Sequence, residues 1–176
     1  MTILCKTNDF GNRNIRWTHE KNLHLTLCFL GSIPVEHIPV IAGILTGVAA
    51  KSAPFALRFD MIAWGPPARP ARMIWGNFFP DTAFPQLARD IARELESDIT
   101  GVAGRNIRLV ENRVIIPHVT LARFSDMPKS TQRTLPPLGG TPNRMTVSSF
   151  SLYESILRPA GATYDPLHVF AFKKQS

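Results

Sequence analysis

Residues 117–124 read Pro-His-Val-Thr-Leu-Ala-Arg-Phe, and residues 23–31 read Leu-His-Leu-Thr-Leu-Cys-Phe-Leu-Gly. Both are short runs rich in apolar, β-branched and aromatic side chains. In both, a His is followed two residues later by Thr and then by Leu, a pattern that predicts strands. Side chains alternate faces along a strand, so His24 and Thr26 share one face while Leu23, Leu25 and Leu27 share the other; His118 and Thr120 stand opposite Val119 and Leu121 in the same way. Each predicted strand buries one face and presents an imidazole and a hydroxyl on the other. With five histidines in the chain and ordinary usage of Thr and Leu, one such motif is expected by chance about 0.03 times. Two copies therefore favour a shared two-imidazole site over two separately satisfied core histidines.

The rest of the composition sets the bounds. A chain of 176 residues suits one domain and buries enough surface to fold without a metal or a disulfide. Cys5 and Cys28 make no disulfide framework, and no signal peptide or long apolar span is visible, which predicts a cytoplasmic protein with no membrane segment. Twenty Lys and Arg against thirteen Asp and Glu give a net charge of +7. That excess points to an anionic partner, nucleic acid or a phosphorylated substrate.

Around the two motifs the elements follow from periodicity. Residues 1–15 are polar and Asn-rich, with a stub of strand at Thr2 to Cys5, and Ile15 to Trp17 predicts a short edge strand. His19, Glu20 and His24 do not have the spacing that returns two histidines to one helix face, so they are not read as a zinc site. Val35, Ile38, Ile41, Ile44, Leu45 and Val48 recur at helical spacing behind Pro34, with His37 off the stripe and solvated. Phe55, Leu57, Phe59 and Met61 alternate as the covered face of a strand, residues 72–78 predict another, and the proline-rich loop carrying Arg69 joins them as a hairpin. Phe84, Leu87, Ile91, Leu95 and Ile99 mark a second helix, with Asp81 or Thr82 as its cap. Residues 105–116 form a basic, partly extended approach to the second motif, and residues 125–142 are polar with a short helix near 129–134. Residues 145–153 and 167–172 predict the last strands, with His168 packed on the face of Phe170 and Phe172. Trp75, Phe29 and Tyr153 are candidates for stacking on a base, with core packing the default for each.

Two helices and seven or eight strands, without a glycine-rich nucleotide-binding turn, predict an α+β protein built on antiparallel sheets. Two lobes facing a central cleft, with helices outside, would bring the two histidines together.

These residues resemble the 2H phosphoesterase superfamily, and within it the RNA 2′,3′-cyclic phosphodiesterases, also called LigT-type 2′-5′ RNA ligases. The resemblance rests on His24-Leu25-Thr26-Leu27 with Phe29-Leu30-Gly31, and on residues 117–123. Arg16-Trp17, residues 72–76, residues 152–155 and residues 161–164 also sit where that family has similar segments. The resemblance covers nearly everything from Arg16 onward and implies a two-lobed LigT-like fold over residues 16–176. The family begins with a strand and a long helix, and here residues 1–15 stand in their place as a divergent or truncated amino terminus.

The implied chemistry is hydrolysis of RNA 2′,3′-cyclic phosphate ends to 2′-phosphomonoesters, with 2′-5′ joining as its reverse. Imidazole, with a pKa of about 6.5, can serve as base in one motif and acid in the other. The resemblance implies His118 as proton acceptor and His24 as proton donor. Thr26 and Thr120 can donate hydroxyl hydrogen bonds to the phosphate oxygens, and Arg123 can hold two of them at once. Ideal alternation places Arg123 opposite His118, so a strand end or bulge has to turn it into the cleft. Asp and Glu are absent from both motifs, so no metal and no cofactor is expected. The competing expectation is a non-catalytic nucleotide- or RNA-binding domain that keeps the basic cleft.

Overall fold

The computed structural model describes residues 15–67, 71–79, 81–99, 115–124, 144–158 and 161–173. The stub at Thr2 to Cys5, the loop with Arg69, most of the basic approach to Pro117 and the short helix near 129–134 lie outside them. Among the described residues there are seven strands and two α-helices: β1 (Ile15–Trp17), α1 (Ile38–Lys51), β2 (Phe55–Gly65), β3 (Met73–Phe78), α2 (Ala83–Ile99), β4 (His118–Phe124), β5 (Arg144–Val147), β6 (Ser149–Arg158) and β7 (Gly161–Ala171). The fold is α+β with antiparallel sheets, as expected. One sheet has five strands in the order β1-β4-β3-β2-β5, and β6 and β7 make a two-stranded sheet. β1 lies at an edge, where its three residues suffice.

Two apolar clusters hold this arrangement. On one side Ile41, Leu45 and Val48 of α1 and Leu87, Ile91 and Leu95 of α2 pack with Phe150, Phe170 and Phe172. On the other, Ile74, Ala122 and Phe124 gather Ile15, Ile62, Trp64 and Leu121. α2 begins where Asp81 Oδ1 accepts from the backbone N–H groups of Ala83 at 2.6 Å and Phe84 at 3.0 Å, satisfying donors that the first helical turn leaves free. Pro34 opens a single 3₁₀ turn, and α1 starts at Ile38 with Pro39 in its first turn. Val35 is therefore outside the buried stripe and exposed.

Several expectations change. Residues 23–31 form no strand: Leu25 makes an isolated bridge to Val119, and Gly31 ends the stretch at φ 77°, a left-handed turn that glycine adopts without a side-chain clash. In β2 the register shifts between Phe59 and Met61. That extra residue reverses the alternation, so Ile62 and Trp64 pack inward and Met61 is exposed. Residues 145–153 do not make one strand: β5 pairs with β2, while β6 starts two residues later in the other sheet. His168 does share a face with Phe170, but the helices cover that face only near Phe150, Phe170 and Phe172, and His168 is exposed. Phe29 and Tyr153, expected to pack in the core, are exposed at 63% and 46%. His37 is half-buried and not fully solvated.

Candidate functional site

β4 carries half of the site and the chain before β2 carries the other half. β1 runs antiparallel to β4 with Arg16 opposite Arg123 and Trp17 opposite Ala122, and the Thr18 N–H donates to Leu121 O at 2.9 Å. The chain then leaves the sheet in a 3₁₀ turn over Glu20–Asn22 and returns at Leu25, which bridges Val119. An antiparallel bridge sets the residues on either side against one another as well. His24 thus faces Thr120, and Thr26 faces His118.

Each imidazole is tied in the same way. His24 Nδ1 lies 2.7 Å from Asn22 O, and His118 Nδ1 lies 2.8 Å from Ile116 O, in both cases the carbonyl two residues upstream. A carbonyl only accepts, so Nδ1 carries the hydrogen in each ring and Nε2 is left for chemistry. The sequence contains no signal for this pair of bonds, because any residue type supplies the carbonyl.

The rings are also braced. His118 stacks on Trp75 with centroids 3.7 Å apart and planes inclined by 22°. Trp75 is 8% exposed, and its ring occupies the space above Gly65, where a Cβ would collide with it. Among the described residues its indole Nε1 is buried without an acceptor, a cost on the order of 1–3 kcal/mol. Tyr164 of β7 lies against His24 with centroids 4.4 Å apart. Asn22 Nδ2 donates to Ala162 O of the same strand at 3.2 Å, so the first motif is joined to the two-stranded sheet. Neither Tyr164 nor Asn22 stands out from sequence as a site candidate. The signal for Tyr164 is its place inside a segment that resembles the family.

Arg123 reaches the histidine side of β4 because of a bulge. Met73 pairs with Arg123 and Ile74 with Ala122, but Trp75 pairs with Thr120, so Leu121 is the extra residue. The alternation reverses there, and Leu121 and Ala122 go to the apolar cluster while Arg123 turns out. Arg123 Nη1 and Thr120 Oγ1 lie 3.3 Å and 4.0 Å from Met73 Sδ.

A cavity of about 140 Å³ is lined by His24, Thr120 and Arg123 together with Arg16, His19, Tyr164 and four others, none of them acidic. His118 and Thr26 lie outside that lining, on the far side of the Leu25–Val119 bridge. His118 still senses its neighbours: burial, His24 and Arg123 hold its pKa below the ordinary imidazole value, while the bond to Ile116 O acts in the other direction. Its ring is accordingly neutral at neutral pH. Among the described residues no cluster of His, Cys, Asp or Glu is arranged to hold a metal ion, and no helix is long and apolar enough to cross a membrane.

A family profile described as LigT like Phosphoesterase matches residues 6–75. A Geobacillus stearothermophilus protein named RNA 2′,3′-cyclic phosphodiesterase is 31% identical over 107 residues, which is 61% of this chain but only 32% of that relative's length. A Thermus thermophilus protein of the same name is 30% identical over 152 residues, covering 86% of this chain and 72% of the relative. Among solved structures, a Thermus thermophilus crystal structure superposes with a TM-score of 0.75 at 28% identity, covering 94% of this chain and 86% of the other. Escherichia coli LigT complexed with 3′-AMP superposes with a TM-score of 0.61 at 28% identity, covering 89% and 80%. Fold, paired motifs and a relative alignable over most of both chains agree, and this chain belongs to the LigT-like phosphoesterase family.

Proposed function

We propose that this protein hydrolyses the 2′,3′-cyclic phosphate ends of RNA to 2′-phosphomonoesters by paired acid-base catalysis. The observation that carries the reading is the shared tether of the two imidazoles, Nδ1–H to a carbonyl two residues upstream, which leaves Nε2 of both His24 and His118 free on the facing motifs. Relatives named RNA 2′,3′-cyclic phosphodiesterase support the substrate class.

The neutral ring of His118 suits a base. Its Nε2 takes a proton from water as the water oxygen attacks phosphorus. The bond from phosphorus to the 3′ oxygen breaks, and His24, entering as the imidazolium with a proton on Nε2 as well as on Nδ1, gives the Nε2 proton to that oxygen, leaving a 3′-hydroxyl and a 2′-phosphate. The rings exchange protons with solvent before the next turnover. Negative charge that grows on the non-bridging oxygens meets the Thr120 and Thr26 hydroxyls and the Arg123 guanidinium. With a 5′-hydroxyl end in place of water, the same attack on the cyclic phosphate joins two RNA ends through a 2′-5′ bond.

The compartment is the cytoplasm in this reading. Burial pushes the Cys28 thiol up to about 11, so it stays protonated and unreactive there.

The test is release of 2′-phosphate from a nucleoside 2′,3′-cyclic phosphate by the intact chain, His24→Ala and His118→Ala. Each substitution is expected to lower turnover by on the order of 10²–10⁴-fold in a chain that remains folded by circular dichroism. Turnover within a few fold of the intact chain in either variant overturns the assignment. Nucleotide binding without turnover by the intact chain would favour a binding domain instead.

A further inference from the structure

Arg16 and Arg123 are direct partners in the β1–β4 ladder. Residues directly opposite in an antiparallel pair point to the same face with Cβ atoms about 4.5–5.5 Å apart, and like charges placed so repel. Both arginines are exposed and line the same cavity. Neither forms an ion pair with a carboxylate among the described residues, and no Asp or Glu lines the cavity. Two arginines on directly opposed residues of the ladder, with no acidic partner among the described residues, make a place for an anion with several oxygens.

The pair is displaced from the histidines. Thr120 and Arg123 are three positions apart on β4, roughly 7–10 Å at the usual rise per residue, and the bulge at Leu121 keeps both on the cleft side. Arg16 sits on the edge strand at the level of Arg123, three positions along β4 from Thr120, the residue that His24 faces. In a terminal nucleotide whose 2′ and 3′ oxygens are closed in the cyclic phosphate, the remaining phosphate position is the 5′ oxygen.

We propose that Arg16, paired with Arg123, forms a second phosphate subsite that takes the phosphate on the 5′ side of the terminal nucleotide. The substrate class is then an RNA chain or a 5′-phosphorylated nucleotide, in preference to a nucleoside cyclic phosphate with a free 5′-hydroxyl. This rests on the reading of the histidine site given above. Arg123 is shared between the two phosphates, and Arg16 serves the second.

Calorimetry with adenosine 2′-monophosphate and adenosine 2′,5′-bisphosphate tests the subsite without requiring turnover. In the intact chain the 5′-phosphate is expected to tighten Kd by about tenfold or more, as one charged hydrogen-bonded contact does. In Arg16→Ala that ratio is expected to fall below about threefold, with Arg16→Lys between the two. A ratio near one in the intact chain, or a ratio that Arg16→Ala leaves unchanged, overturns the proposal. The two readings fail separately: a chain with the ratio but no hydrolysis loses the catalytic assignment and keeps the subsite. A chain that hydrolyses cyclic ends with no ratio keeps the first and loses the second.

Discussion

Leu25 and Val119 face each other as an antiparallel bridge, each at the centre of a His-x-Thr motif. The geometry has a symmetry that neither motif has alone. Reading outward from the bridge in both directions places a His against a Thr, so each imidazole has the other motif's hydroxyl across from it. By alternation the two apolar central residues point away from the polar four, of which His24 and Thr120 line the cavity.

The pH dependence of turnover follows from His118. Its pKa is lowered by burial, by His24 and by Arg123, so the loss of activity on acidification is expected below pH 6.5, the ordinary imidazole value. Arg123→Ala removes one lowering influence, and the acidic limb of kcat/KM is expected to move up. The stability sign is the same: His118 binds its proton less readily folded than unfolded. Stability attributed to it is therefore present above pH 6.5 and is lost as pH falls toward the folded value. A kcat/KM profile for both chains, with urea midpoints across the same range, checks both statements.

Gly65 keeps the space that Trp75 fills. Gly65→Ala is expected to displace Trp75, destabilise the chain by about 1–3 kcal/mol, and lower turnover by disturbing the stack on His118. Gly43 and Gly47 lie in α1 with open space where a side chain would stand. Alanine at either is expected to stabilise by about 0.4–1 kcal/mol and leave turnover unchanged. Urea unfolding with a turnover assay separates the two cases.

Tyr164 supports His24 through its ring. Tyr164→Phe preserves that contact and is expected to hold kcat within about twofold, whereas Tyr164→Ala frees the imidazole and lowers kcat on the order of tenfold. Single-turnover rates at saturating substrate distinguish this from weakened binding.

Asp81 caps α2 away from the cleft. Asp81→Ala is expected to cost about 1 kcal/mol, seen as a lower urea midpoint, with kcat/KM unaltered.

Local pattern made much of the fold legible. The apolar spacing of α1 and α2, the Asp81 cap and the β2–β3 hairpin all depend on neighbours in sequence, and each is present. The errors fall where pairing interrupts a local rule. Alternation put Met61 inside, but the bulge after Phe59 put it out. Alternation also put His168 on the packed face, and it is on that face, beyond the helices that cover it.

The candidate site divides in the same way. His24, Thr26, His118 and Thr120 could be named as candidates because chemistry selects residue types and the period of an extended chain selects spacing, and Arg123 because it falls in a segment that resembles the family, against the alternation. The partners that brace them could not. Trp75 against His118, Tyr164 against His24, and Arg16 across from Arg123 join residues far apart in sequence through strand register. The sequence by itself determined an α+β chain with two imidazole-hydroxyl motifs and a positive charge. Only the tertiary structure decided that Leu25 would meet Val119, and that a single extra residue at Leu121 would turn Arg123 to the cleft. Register is set by which backbone groups pair across strands, and a shift of one residue moves a side chain from core to solvent.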